Sequence, residues 1–352
     1  MSKVQMTKIA KGNSKEWLYE ISFMRPILLL LLVSYHAFAP WCGAWDMPMG
    51  CADFEPFRWV AVVSRAFRLE CFVFISGYIF TFQMLTKNKF PRFKELLGSK
   101  IARLLIPCWF FSILYFVLFK SYVDIIDFVF VIMGGAGHLW YLPCLFICFL
   151  VQWVFIKKKC DNRFVLIILF FLVFVSFVPL PLNMNQPLYY MLFFFGGGFF
   201  YQNKEIIRER TNAKNVVLSW LLFVIVLFLV EWAFKSLNGI SQQSLIARGT
   251  IYGVKKMLKA SLAWIGIYAF YKSAVIWCLN HQVSEWMLKI GVCGYGVYVF
   301  HQFILVWLYD YTSLPNLLGT YWLPWVGFIL ATTFSLVLTL LIRKTKIGRK
   351  FL

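Results

Sequence analysis

The sequence predicts an all-α integral membrane protein of about ten transmembrane helices with both termini cytoplasmic. Three observations carry that prediction. Hydrophobic residues make up 61% of the 352 residues and the mean hydropathy is +0.73, well above the roughly 45–50% apolar content of soluble domains. Apolar runs close to bilayer-spanning length recur from Ile21 to Ile342, and no interval between them is long enough for an independently folded soluble domain. Lys and Arg, finally, concentrate on alternate loops.

The first span, 21–39, follows a basic segment, 1–20. Basic residues before an apolar run suggest a signal peptide, but no small-residue cleavage site follows cleanly and further spans do, so the segment is read as retained. The remaining spans are 60–86, 101–120, 138–156, 164–180, 187–201, 216–235, 257–277, 290–309 and 321–342, each near the ~20 residues a membrane helix needs. The segments this places inside (1–20, 87–103, 157–163, 202–215, 278–289 and 343–350) carry 24 Lys and Arg. Those placed outside (40–59, 121–137, 181–186, 236–256 and 310–320) carry only Arg58, Arg248, Lys255 and Lys256, an asymmetry that puts both termini in the cytoplasm. The 236–256 loop fits least well. Val123–Met133 is apolar but short for a crossing and carries Asp124 and Asp127, so it is read as interfacial or re-entrant. The chain thus divides into the basic segment 1–20, one ten-helix membrane domain over 21–342, and a basic cytoplasmic tail, 343–352. No repeat of 20–50 residues and no low-complexity tract occurs.

A net charge of +20 would suggest a nucleic-acid partner in a soluble protein; here it reports topology, and no nucleic acid is expected. Most of the nine cysteines lie in or at the ends of spans and read as small apolar fillers. Cys42 and Cys51 share one external loop, where a pair is open in an oxidising compartment. Four scattered His and no carboxylates at ligand spacing argue against a catalytic metal.

Charged groups in a bilayer cost several kcal/mol unless paired or hydrated, so function is sought among Arg25, His36, Arg65, Arg68, Glu70, Lys100, Arg103, Glu231, Lys272 and His301. Arg25 and His36 are eleven residues apart, three helical turns plus about 20°, which puts them on one face about 16 Å apart. One long ligand can touch both: a guanidinium suits a phosphate, and a neutral imidazole can take a proton from a hydroxyl. The spacing serves equally well a snorkelling Arg25 and a hydrogen-bonded packing His36. Arg65, Arg68 and Glu70 fall in one span and must face the interior or water, either binding a polar substrate and setting the protonation of His36 or forming a structural Arg–Glu pair. Lys100 and Arg103, at i and i+3, share a helical face as an anion site or as topological anchors. His138 and Trp140 open one span and Tyr298 and His301 lie in another, positions that interfacial aromatics and satisfied imidazoles also occupy. Gly196-Gly197-Gly198 lacks the Lys-Ser/Thr of a phosphate loop and is read as helix packing, as is the Ser76-Gly77 pair.

Taken together these residues resemble membrane-bound acyltransferase family 3, in order along most of the chain. Arg25-x10-His36 is similar to the family's Arg/Lys-x10-His signature, and Phe72-Val73-Phe74-Ile75-Ser76-Gly77-Tyr78 to its Phe-Phe-x-x-Ser-Gly-Tyr/Phe run. Lys100-Ile101-Ala102-Arg103, ending at Pro107, resembles its Arg-x-x-Arg segment with Lys in first place; His138-Leu139-Trp140-Tyr141 and Tyr295–His301 resemble its later His/Leu-Trp-Tyr/Phe and Ile-Tyr-x-x-His stretches. The resemblance implies an acyl-CoA-dependent O-acyltransferase in the cell membrane, of the bacterial inner-membrane type. It would move an acyl group, usually acetyl and sometimes succinyl, from cytosolic acyl-CoA to a hydroxyl of an extracytoplasmic or lipid-linked glycan. It implies CoA phosphates at Arg25, Lys100 and Arg103, His36 as general base or transient acyl carrier, and Arg65, Arg68, Glu70, His138, Trp140, Tyr298 and His301 as acceptor-binding or orienting groups. With no hydrolase-like domain after the tenth span, the acyl path is expected within the bundle or with a partner, whether a second copy or an envelope-biosynthesis protein. A glycan or lipid exporter without chemistry, its charges lining a transport path, is the alternative.

Overall fold

The computed structural model describes residues 18–119, 125–178, 180–239 and 244–351. Most of the basic segment 1–20 and the start of Val123–Met133, with Asp124, lie outside them. The chain runs α1 (Tyr19–Ala37), α2 (Glu55–Arg65), α3 (Arg68–Leu85), α4 (Phe93–Lys100), a π-turn (Ile101–Leu105), α5 (Ile106–Phe119), α6 (Ile125–Gly134), a 3-10 turn (Gly137–Trp140), α7 (Tyr141–Lys157), α8 (Asn162–Val175), α9 (Asn185–Gln202), α10 (Lys204–Glu209), α11 (Ala213–Asn238), α12 (Leu245–Asn280), α13 (Glu285–Asp310), α14 (Leu314–Lys344) and α15 (Lys346–Phe351). No strand occurs among the described residues. Seven stretches there are long and apolar enough to cross a membrane: Tyr19–Ala37, Phe93–Phe119, Gly137–Lys157, Ala213–Asn238, Ala247–Asn280, Glu285–Asp310 and Leu314–Lys344. Leu/Ile/Phe-rich flanks left bare on α5, α8, α11 and α14 suit a lipid-facing perimeter.

Two features depart from the expected spans. The span 60–86 is broken, because Phe67 takes φ −146°, ψ 0° between α2 and α3. Its ring is driven into α12: a Cβ on Gly266 would lie 2.7–2.9 Å from Phe67, and the ring meets Trp220, Phe223 and Phe270. Aromatic burial there outweighs one continuous hydrogen-bond ladder. The second departure is the π-turn, which widens the helix between Lys100 and Arg103.

The packing explains the small residues. A Cβ on Gly77 would lie 1.8 Å from the Phe194 carbonyl oxygen and one on Gly197 1.9 Å from that of Phe74, so α3 and α9 meet backbone to backbone at Gly77 and Gly197. Helix α13 packs against α1 and α14, and α12 against α11 and α1. Cys42 and Cys51 stand as free thiols; the Cys42 Sγ donates to the Ala39 carbonyl at 3.3 Å within a 3-10 turn. At the end of α1 the Phe38 N–H caps Ser34, then Pro40–Cys42 and Gly43 (φ +69°) turn the chain away. That leaves His36 in the last turn of α1, at the rim of the bundle interior.

Candidate active site

Helices α1 and α13 present matched positions to each other. Arg25 faces Gly291, Leu29 faces Gly294, and His36 meets His301, with Nδ1 of His36 3.1 Å from Nε2 of His301. Arg25 and His36 therefore lie on the same side of α1, turned toward α13.

The hydrogen-bond partners assign the tautomers. His301 Nδ1 lies 2.9 Å from the Val297 carbonyl oxygen, and a carbonyl only accepts, so Nδ1 carries the proton and Nε2 of the neutral ring is an acceptor. His36 Nδ1 faces that acceptor and the Leu32 carbonyl oxygen, at 2.9 Å, so it must be the donor to both. His36 Nε2 is then the bare nitrogen. A third imidazole meets His301 edge to face: the His138 ring centroid is 5.1 Å from that of His301, and His138 Nε2 donates to the Val299 carbonyl at 3.1 Å. Gly135 at φ +87° and Gly137 at φ +53° make the tight entry to the 3-10 turn that carries His138. The Tyr298 hydroxyl donates to the His138 carbonyl at 2.5 Å. Tyr298 thus braces the turn with its hydroxyl, while its ring joins the cavity wall.

His36 lines a cavity of about 680 Å³, within the size range of ligand sites, together with Arg65, Arg68, His138, Trp140, Tyr298, Glu231 and Lys259. Trp140 packs on Tyr190 at 5.8 Å in this wall. The break at Phe67 sends Arg65 and Arg68 apart. Arg65 pairs with Glu231 of α11 at 3.3 Å, and Arg58 with the same carboxylate at 3.2 Å. Arg68 instead donates to the Leu32 carbonyl at 3.2 Å and lies 4.0 Å over the Tyr35 ring. Glu70, fully buried, pairs with Lys259 of α12 at 3.1 Å. The anticipated Arg–Glu pair within the span is therefore corrected: both carboxylates take their partners from other helices.

The candidate anion-binding residues lie toward the opposite end of α1. Arg25 and Arg103 are close enough to repel electrostatically, as are Lys100 and Arg103. None of the three has a carboxylate within ion-pair distance among the described residues. Lys100 is caged by phenylalanines, its ammonium 3.4 Å from the Phe149 centroid and 5.5 Å from those of Phe80 and Phe90. The Arg103 carbonyl accepts from the Tyr295 hydroxyl at 3.0 Å.

The family model described as an acyltransferase domain matches residues 18–344, nearly the whole chain. The chain belongs to acyltransferase family 3. Neither a curated protein nor a solved structure matches it. As a multi-pass membrane acyltransferase, it brings together His36, His138, Arg65, Arg68, Trp140 and Tyr298 around one cavity; His301 stands behind that wall against His36, and Glu70 reaches it through Lys259. Arg25, Lys100 and Arg103 do not line it. Sequence reasoning missed Lys259 and Arg58 and gave Glu231 no partner. The signal for Glu231 was its isolation in an apolar run; Lys259 sits two residues inside a span already assigned on length.

Proposed function

We propose that this acyltransferase moves an acyl group, acetyl or succinyl, from cytosolic acyl-CoA to a hydroxyl of an extracytoplasmic or lipid-linked glycan, with both termini in the cytoplasm. The observation that carries the reading is His36 on the wall of the 680 Å³ cavity with its Nδ1 2.9 Å from the Leu32 carbonyl oxygen and 3.1 Å from His301 Nε2, contacts that engage Nδ1–H and leave Nε2 as the free acceptor. A base must keep its lone pair toward the substrate and its proton away from it. The acceptor hydroxyl attacks the thioester carbonyl carbon as His36 Nε2 takes its proton; collapse expels the CoA thiolate, which recovers that proton to leave as CoA thiol. His301 accepts from the imidazolium's Nδ1–H during the step. Transfer through an acyl-His36 would use the same nitrogen as nucleophile.

On this reading the CoA phosphates lie at the cytoplasmic mouth against Arg25 and Arg103, cations with no carboxylate partner among the described residues, and the pantetheine arm follows the Arg25–Gly291, Leu29–Gly294 seam toward His36. Lys100, held in its aromatic cage, adds to the local field more than to direct contact. Arg65, Trp140 and the Glu70–Lys259 pair shape the acceptor side. The setting is the cell membrane, of the bacterial inner-membrane type, beside the enzymes that build the acceptor.

The test is label transfer from radiolabelled acetyl-CoA into glycan by membrane vesicles bearing the full chain. His36→Ala lowers the rate about 10²- to 10⁴-fold, the contribution of a positioned general base. Full transfer by that variant ends the assignment.

A further inference from the structure

We propose that Arg68 is a catalytic residue that holds the oxyanion of the tetrahedral intermediate, a role that rests on the acyl-transfer reading above. Arg68 is 6% exposed, yet it lines the His36 cavity and has no ion-pair partner among the described residues. Glu70, two residues on, pairs with Lys259 and makes no ion pair with Arg68, and Glu231 pairs with Arg58 and Arg65. A guanidinium has five N–H donors. Nη1 donates to Leu32, while the buried Nε has no hydrogen-bond partner. Burying a cation with an idle donor is costly, and an ionisable group kept inside a membrane protein marks a functional site.

Its position says which anion. The Leu32 carbonyl that accepts from Arg68 Nη1 also accepts from His36 Nδ1, so one backbone oxygen ties the cation and the base together. A thioester whose carbonyl carbon is attacked by the hydroxyl that His36 activates must sit between these two groups. As the acceptor oxygen bonds to carbon, the carbonyl π pair moves onto oxygen. That oxygen is the negative charge Arg68 meets, and it is discharged when the carbonyl reforms and the thiolate leaves. The Tyr35 ring, 4.0 Å under the guanidinium, keeps its plane fixed, which is the preorganisation such stabilisation needs.

The experiment uses the full chain in membrane vesicles with radiolabelled acetyl-CoA and endogenous glycan, comparing wild type with Arg68→Gln, Arg68→Lys and His36→Ala. Arg68→Gln is expected to lower kcat about 10²- to 10³-fold with KM for acetyl-CoA and acceptor unchanged. Arg68→Lys keeps the charge and recovers part of the loss. Thermal melting in detergent, close to wild type for Arg68→Lys, separates chemistry from folding. A raised acceptor KM at unchanged kcat makes Arg68 a substrate anchor and overturns the proposal. So does a loss that tracks a lowered melting temperature in both variants. Wild-type vesicles that transfer no label, or transfer indifferent to His36→Ala, sink the function itself and this role with it; transfer that needs His36 but survives Arg68→Gln sinks only the role of Arg68.

Discussion

Replacing His301 while leaving His36 in place isolates the proton arrangement from the base itself. In the structure the His36 Nδ1–H is shared between the Leu32 carbonyl oxygen at 2.9 Å and His301 Nε2 at 3.1 Å. His301→Phe keeps a ring against His138 and Tyr298 but removes the nitrogen acceptor. A hydrogen bond from a charged donor contributes about 1.5–3 kcal/mol, and the shorter bond to Leu32 survives, so the lower end applies. At about 1.4 kcal/mol per factor of ten, kcat falls roughly 10- to 30-fold. His301→Gln offers a side-chain carbonyl as acceptor and recovers most of that loss. The assay is the initial rate of acetyl transfer at saturating acetyl-CoA, with equal amounts of folded protein in each vesicle preparation. An undiminished rate in His301→Phe would show that Leu32 alone orients the base. Equal losses in Phe and Gln would mean that the residue matters for packing and not for the proton.

Two further outcomes follow from the same geometry. Gly197→Ala places a Cβ 1.9 Å from the Phe74 carbonyl oxygen, which is backbone and cannot step aside; the α3–α9 contact then opens at a cost of about 1–3 kcal/mol or more, read as a lowered melting temperature in detergent, and an unchanged melt contradicts the packing. Lys100→Met fills the phenylalanine cage and leaves KM for acetyl-CoA near wild type, whereas Arg103→Gln raises it about 10- to 100-fold through loss of a charge-assisted bond; equal effects from the two would return Lys100 to the phosphate site.

Long apolar helices were legible because a bilayer imposes length and composition on each of them separately. The facing of Arg25 and His36 was legible because both sit on one unbroken helix, where spacing alone sets direction. Spacing says less about Arg65 and Arg68 and about Lys100 and Arg103. A non-helical Phe67 lies between the first two and a π-turn between the second two, departures from α geometry that residue spacing does not announce. The histidine cluster was legible only as its members, because His36, His138 and His301 come from segments far apart in the chain and spacing carries no information across such distances. For the same reason the partners of Glu70 and Glu231 were hidden: a buried carboxylate announces that it needs a cation, not which helix supplies it.

The break at Phe67 is what lets two arginines three residues apart do different work. On a continuous helix Arg65 and Arg68 would share a face and compete for the same carboxylate. With α2 ended at Arg65 and α3 begun at Arg68, the first guanidinium turns to Glu231 and joins Arg58 in tying α2 to α11. The second turns to Leu32 of α1, beside His36. Glu70, two residues further, is drawn off by Lys259, which fastens α3 to α12. Each of these pairs ties a wall of the cavity together, and neither carboxylate forms an ion pair with Arg68. The aromatic plug that Phe67 drives into the notch at Gly266 therefore has a consequence beyond packing: it turns Arg68 to the base, where it forms no ion pair among the described residues. A substitution that fills that notch, such as Gly266→Ala, should act on turnover through Arg68 even though it touches no group in the cavity.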